Sequence, residues 1–194
     1  MKTIIGTKAD VAKELTAQVA AVLASKPEAN IAISAVDLPA EVLDALAASD
    51  IAFDRAALFQ ACEYCGAAGK GAHAVGTAFS PLTAAKPFAA VHAPDPDADA
   101  EHAADYDAAI QAAGGLDLVI LGLGERGHVA FNEPGAGFGE KTHIAKLAEV
   151  TREAIAADFG TLDGIYEHID DERIKKGVRT KLQADEQGAR DSYW

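Results

Sequence analysis

Six residues, Leu116-Asp117-Leu118-Val119-Ile120-Leu121, form an aliphatic run that stops at Gly122 and Gly124. The run is too short for a helix and rich in branched side chains, so it reads as a buried strand. Similar runs precede it. Asn30 to Ser34 and Arg55 to Gln60 read as core strands, and Phe88 to His92 as a further one. Stretches of helical periodicity separate them. Strands that alternate with helices predict a parallel sheet covered by helices on both faces. The expected fold is therefore α/β: three-layer, Rossmann-like and mostly parallel.

The helical stretches carry their own punctuation. Val11, Leu15, Val19, Val22 and Leu23 recur at helical spacing over residues 8 to 25. Thr7 is a candidate N-cap, with Asp10 three residues on as a variant of the capping box. Lys26-Pro27-Glu28 ends that helix. Pro39 opens a second helix, which continues to Ala48. The acidic segment Ala98 to Ala113 predicts a third, stopped by Gly114-Gly115. Residues 66 to 100 are read as irregular apart from the strand at Phe88. Lys2 to Ile5 predicts a short first strand, and residues 147 to 158 a late helix. The domain is placed at residues 1–159, and residues 160–194 form a charged C-terminal tail.

Composition narrows the function. The chain has 194 residues, 49% of them hydrophobic, with a formal net charge of −13. Much of the apolar content is alanine, which buries little area per residue. A chain this acidic is expected neither to bind a nucleic-acid backbone nor to sit on an anionic membrane. An anionic metabolite needs a locally positive pocket. No apolar run reaches spanning length, and two cysteines do not make a disulfide framework. The expectation is a cytoplasmic protein with a small-molecule ligand; assembly into a homo-oligomer stays open. Cys62 and Cys65 form a Cys-x-x-Cys pair with no second pair to complete a zinc site, so no metal is expected.

Ligands of open α/β sheets bind beyond the carboxyl ends of the strands. Just past Leu121 come Gly122, Gly124, Glu125, Arg126, Gly127, His128, Asn132 and Glu133. Glycines at a strand tip let a ligand approach the backbone closely. The spacing of Gly122, Gly124 and Gly127 does not complete a dinucleotide-binding fingerprint.

The run Gly-Leu-Gly-Glu-Arg-Gly-His-Val-Ala-Phe-Asn-Glu-Pro-Gly, residues 122 to 135, resembles the signature of the glucosamine-6-phosphate deaminases. That family of sugar-phosphate isomerases is related to the 6-phosphogluconolactonases. Phe59-Gln60-Ala61-Cys62-Glu63-Tyr64 resembles its Phe-Asn-Met-Asp-Glu-Tyr strand end. The resemblance implies opening of an amino-sugar ring, proton transfer between C2 and C1, and loss of ammonia, with no cofactor. It assigns ring-opening acid/base work to His128, for which imidazole is suited near neutral pH. It makes Glu133 the carboxylate that orients the imidazole, and Asn132 a residue that shapes the loop. Gly124 and Gly127 are expected to lie against the substrate.

Three positions depart from the family. Its proton-abstracting aspartate falls at Cys62, whose thiol is mostly protonated at neutral pH unless the anion is stabilised; Glu63 is the fallback base. A second family aspartate falls at Arg126, which suits a substrate phosphate instead. The family's glycine-rich phosphate loop becomes Ser34-Ala35-Val36-Asp37-Leu38-Pro39, where Asp37 would repel a phosphate. The family's late phosphate-binding lysine has no matching counterpart: Lys175, Lys176 and Lys181 lie near in sequence order, but their context differs. These departures leave two readings open, a working enzyme or a relative that only binds a ligand or partner.

Overall fold

The computed structural model describes residues 3–64, 74–96, 102–124, 127–132, 141–145, 147–148 and 178–179. The first helix, α1 (Lys8–Ser25), starts where the sequence places it. Asp10 donates its backbone N–H to Thr7 Oγ1 at 3.2 Å, and Thr7 returns its own N–H to Asp10 Oδ2 at 2.9 Å. The box is reciprocal, with aspartate in place of the usual glutamate. Thr3–Gly6 is not a strand. It is an exposed lead-in to the cap, and Ile5 is almost wholly in solvent.

Four strands, β1 (Asn30–Ile33), β2 (Ala57–Gln60), β3 (Ala90–His92) and β4 (Leu118–Ile120), form one parallel sheet in the order β3-β2-β1-β4. Helix α2 (Ala40–Ala48) links β1 to β2. Between β2 and β3 lie two short helices, α3 (Ala74–Thr77) and α4 (Ser80–Ala85). They fall in the stretch read as irregular, where Pro81 is in fact a helix-opening residue. A 3₁₀ turn (His102–Ala104) and α5 (Asp105–Ala112) carry the chain from β3 back to β4. The predicted helix from Ala98 is shorter here; its first residues, 98–101, lie outside the described set.

The topology explains why both faces are covered. Parallel crossovers are right-handed. The chain steps outward from β1 to β3, then returns past β1 to β4, and the reversal puts α5 on the opposite face. The strand pleat agrees. Ile31, Ile33, Leu58 and Ile120 pack in one cluster with Val19, Leu23, Val42, Leu46 and Leu82. Ala32, Phe59 and Ala61 point the other way, toward Tyr106 and Ile110 of α5. Phe59 is fully buried there, stacked on His92 at 4.3 Å and edge-on to Tyr106 at 6.3 Å. The Tyr106 hydroxyl donates to the carbonyls of Gln60 and His92, and burial pushes its pKa up.

Two sequence expectations need correction. β4 is only half-buried, with Leu121 exposed at its tip, and it is the edge of the described sheet rather than its centre. Leu147 and Ala148 are not helical; the rest of that predicted helix, 149–158, lies outside the described residues. Of the 160–194 tail, Val178–Arg179 are described as strand β6, antiparallel to β5 (His143–Ile144). Among the described residues no helix is long and apolar enough to cross a membrane.

The amino ends of the strands are tied together by Asp117. Its carboxylate accepts from Lys26 Nζ at 2.8 Å and from the backbone N–H of Asn30 at 2.8 Å. Burial alone would raise its pKa, but the Lys26 hydrogen bond, the Asn30 N–H and the Lys26 charge outweigh it and hold it below the ordinary carboxylate value. A depressed folded-state pKa gives stability that is present above the unfolded value, about 3.9, and lost as pH falls through the folded one. Asp117→Asn is therefore expected to lower stability at pH 7 and to leave a flatter urea-midpoint profile below pH 4. An unchanged acid profile would count against this role.

Candidate active site

The order in which the chain adds strands reverses between β1 and β4, and this is where a ligand crevice opens in such folds. The β1–β4 ladder continues one step past the strands, with Ser34 N–H donating to Ile120 O at 2.9 Å. Beyond that point the two chains meet tightly. A Cβ built on Gly122 would run into the backbone of Val36 and Asp37. A Cβ on Gly124 would fall on the imidazole of His128. The Cβ positions of these two glycines are therefore taken by the protein's own β1 loop and histidine. Gly127 serves a turn, at φ +76°.

After β4 the chain doubles back. Leu123 bridges Val129, Gly124 N–H donates to His128 O at 2.9 Å, and Asn132 N–H donates to Val129 O at 2.9 Å. Phe131 pins this hairpin, buried to 1% exposure in the first core cluster and tilted against Tyr64 at 4.9 Å. The sequence reading used Phe131 only as part of a signature. Its role as an anchor follows from its burial between Ala130 and the polar Asn132.

His128 is 8% exposed, and its Nε2 lies 2.7 Å from Asp37 Oδ2. Asp37 takes the left-handed conformation at φ 56°, which costs a non-glycine residue about 1–2 kcal/mol and is most tolerable for Asp or Asn. Its side chain stays one third exposed. The residue that the sequence set down as a phosphate-repelling break is thus the described carboxylate partner of the histidine. Glu133, which the sequence assigned to that work, lies outside the described residues, as do Glu125 and Arg126. Two polar atoms of the hairpin, His128 Nδ1 and Asn132 Oδ1, are buried with no hydrogen-bond partner among the described residues. Buried polar atoms are normally paired, so these two stand out among the described residues.

Cys62 and Glu63 lie at the tip of β2, both at 0% exposure. Cys62 packs in the first core cluster, with its Sγ 3.7 Å from Ser34 Oγ. Cys65 is outside the described residues. The Glu63 carboxylate accepts four hydrogen bonds, from Gln60 Nε2 and the backbone N–H groups of Tyr64, Val75 and Gly76, at 2.8–3.1 Å. It caps the first turn of α3. A sealed carboxylate with its oxygens committed this way is a scaffold element, which corrects the fallback-base role given to Glu63 from sequence. Glu63→Gln removes the charge and turns an amide toward N–H donors. It is expected to cost about 2–3 kcal/mol in urea unfolding; a change under 0.5 would refute the cap.

The comparisons with known proteins agree with this architecture. The sequence model for glucosamine-6-phosphate isomerases/6-phosphogluconolactonase matches residues 6–151. A glucosamine-6-phosphate deaminase of Pseudarthrobacter chlorophenolicus is 34% identical over 190 residues, covering 93% of this chain and 71% of that protein. One from Beutenbergia cavernae is 35% identical over 191 residues, covering 93% and 72%. Among solved structures, a monomeric glucosamine-6-phosphate deaminase superposes with a TM-score of 0.74 at 22% identity, over 94% of this chain and 77% of that one. The 6-phosphogluconolactonase of Thermotoga maritima superposes with 0.54 at 21% identity, over 73% and 66%. With a family match spanning three quarters of its length and relatives above 30% identity, this chain belongs to the glucosamine-6-phosphate isomerase/6-phosphogluconolactonase family.

Proposed function

We propose that the chain is an amino-sugar-phosphate isomerase/deaminase that opens the sugar ring by acid/base catalysis at His128. The observation that carries the reading is the His128 hairpin beyond β4, with an imidazole held by a carboxylate through Nε2 while its own Nδ1 and the nearby Asn132 Oδ1 are buried and unpaired among the described residues. An imidazole can both take and give a proton near neutral pH, as ring opening requires. The relatives named glucosamine-6-phosphate deaminase supply the substrate class. Arg126 is the cation for the phosphate, since the β1 loop offers Asp37 there instead. No organic cofactor enters this chemistry.

A second reading rests on one observation. Among the described residues the β2 tip presents no accessible carboxylate or thiol, because Cys62 is buried in the core and Glu63 is committed to α3. A chain that binds the sugar phosphate without turning it over fits that tip. Ammonia release from glucosamine 6-phosphate, followed beside calorimetric binding of the same compound, separates the two. Turnover that disappears in His128→Gln supports the enzyme; binding with no ammonia supports the second reading.

A further inference from the structure

We propose that Asp37 is the positioning residue for His128, and that it makes Nδ1 the ring nitrogen that exchanges a proton with the ligand. The inference rests on the function above and goes beyond it by naming the nitrogen and the group that selects it. An ionised carboxylate only accepts hydrogen bonds, so in the 2.7 Å contact between Asp37 Oδ2 and His128 Nε2 the hydrogen sits on Nε2. In the neutral imidazole the lone pair is then on Nδ1. That atom is buried, and no described group pairs with it.

The local backbone is shaped around this contact. Asp37 takes a left-handed φ of 56° at the tip of β1. The missing side chain at Gly122 lets the Val36–Asp37 backbone pass, and the missing side chain at Gly124 gives the ring its place. Three otherwise separate features, two glycines on one loop and a strained aspartate on another, are thereby accounted for by one hydrogen bond. Its length and the strain retained for it mark a fitted pair rather than a chance surface contact. During ring opening the anomeric hydroxyl loses a proton, the bond from C1 to the ring oxygen breaks, and the ring oxygen gains a proton. Nδ1 takes and returns that proton with no net change, while Nε2–H stays on Asp37.

The test is a tautomer measurement on the 194-residue chain, by nitrogen NMR of the neutral His128 side chain. Wild type is expected to show a protonated Nε2 and a bare Nδ1. Asp37→Gly, which suits the left-handed backbone and removes the acceptor, should give a mixture of tautomers. Asp37→Asn, whose carbonyl still accepts, should keep the Nε2–H form. With glucosamine 6-phosphate, kcat should fall on the order of 10²-fold in Asp37→Gly with KM within a few-fold, and part should return in Asp37→Asn. A bare Nε2 in wild type, or an unaltered tautomer in Asp37→Gly, overturns the proposal. If wild type releases no ammonia, the enzymatic reading falls, while the spectra still decide whether Asp37 orients the ring. Unchanged kcat in Asp37→Gly beside altered spectra overturns the role in proton exchange.

Discussion

Gly124→Ala is expected to abolish most turnover while leaving the sheet intact. The added methyl would occupy the space of the His128 ring. The neighbour is an imidazole that is itself 8% exposed, so it must swing out of the crevice or push the hairpin away. Either movement breaks the 2.7 Å contact with Asp37. Misplacing a reacting group by about 1 Å can cost on the order of 10²-fold, and a fall of that size in kcat is the expected reading for ammonia release. Far-ultraviolet circular dichroism should not change, because the strands end before the substituted residue. Wild-type kcat in the variant would mean that the ring's place is not set by this contact.

The largest effect on stability is expected from Phe59→Ala. Phe59 is, with Phe131, the largest fully buried side chain among the described residues, and it sits between the sheet and α5. Its other neighbours there include Ala32, Ala61 and Ala57, which are too small to fill the space left behind. The variant loses the transfer energy of the ring, gains a cavity, and loses the stack on His92 and the edge contact to Tyr106. Truncations of this kind cost about 3–5 kcal/mol. Urea unfolding gives the number, and a loss below about 1 kcal/mol would show that this face collapses around the gap. The alanine-rich composition makes such collapse harder.

Particular residues show what could be read in advance. α1 was legible because Thr7, Asp10 and a helical stripe lie within one short window. Asn30–Ile33 and Ala57–Gln60 were legible because strands buried on both faces are uninterrupted apolar runs. Thr3–Gly6 was misread because two isoleucines carry a strand's composition without a partner strand to pair with. The short helices after Ala74 were hidden by glycines and by Pro81, which opens a helix as readily as it ends one. At the site, the family signature drew attention to His128 at once. Asp37 was visible only as a departure, since its use depends on a left-handed turn and on a contact across 91 residues of sequence. Glu63 was misplaced because nothing local says that its acceptors' donors come from a helix a dozen residues later.

The sheet order has a kinetic corollary. β1 ends up between β2 and β4, so the chain must travel out through β3 and come back before Asp37 can meet His128. Contacts closed over such long loops form late. In a refolding experiment, helix signal should therefore recover ahead of catalytic competence. A nascent chain released before β4 has emerged would carry a well-capped first helix, three paired strands and no His128 to meet Asp37.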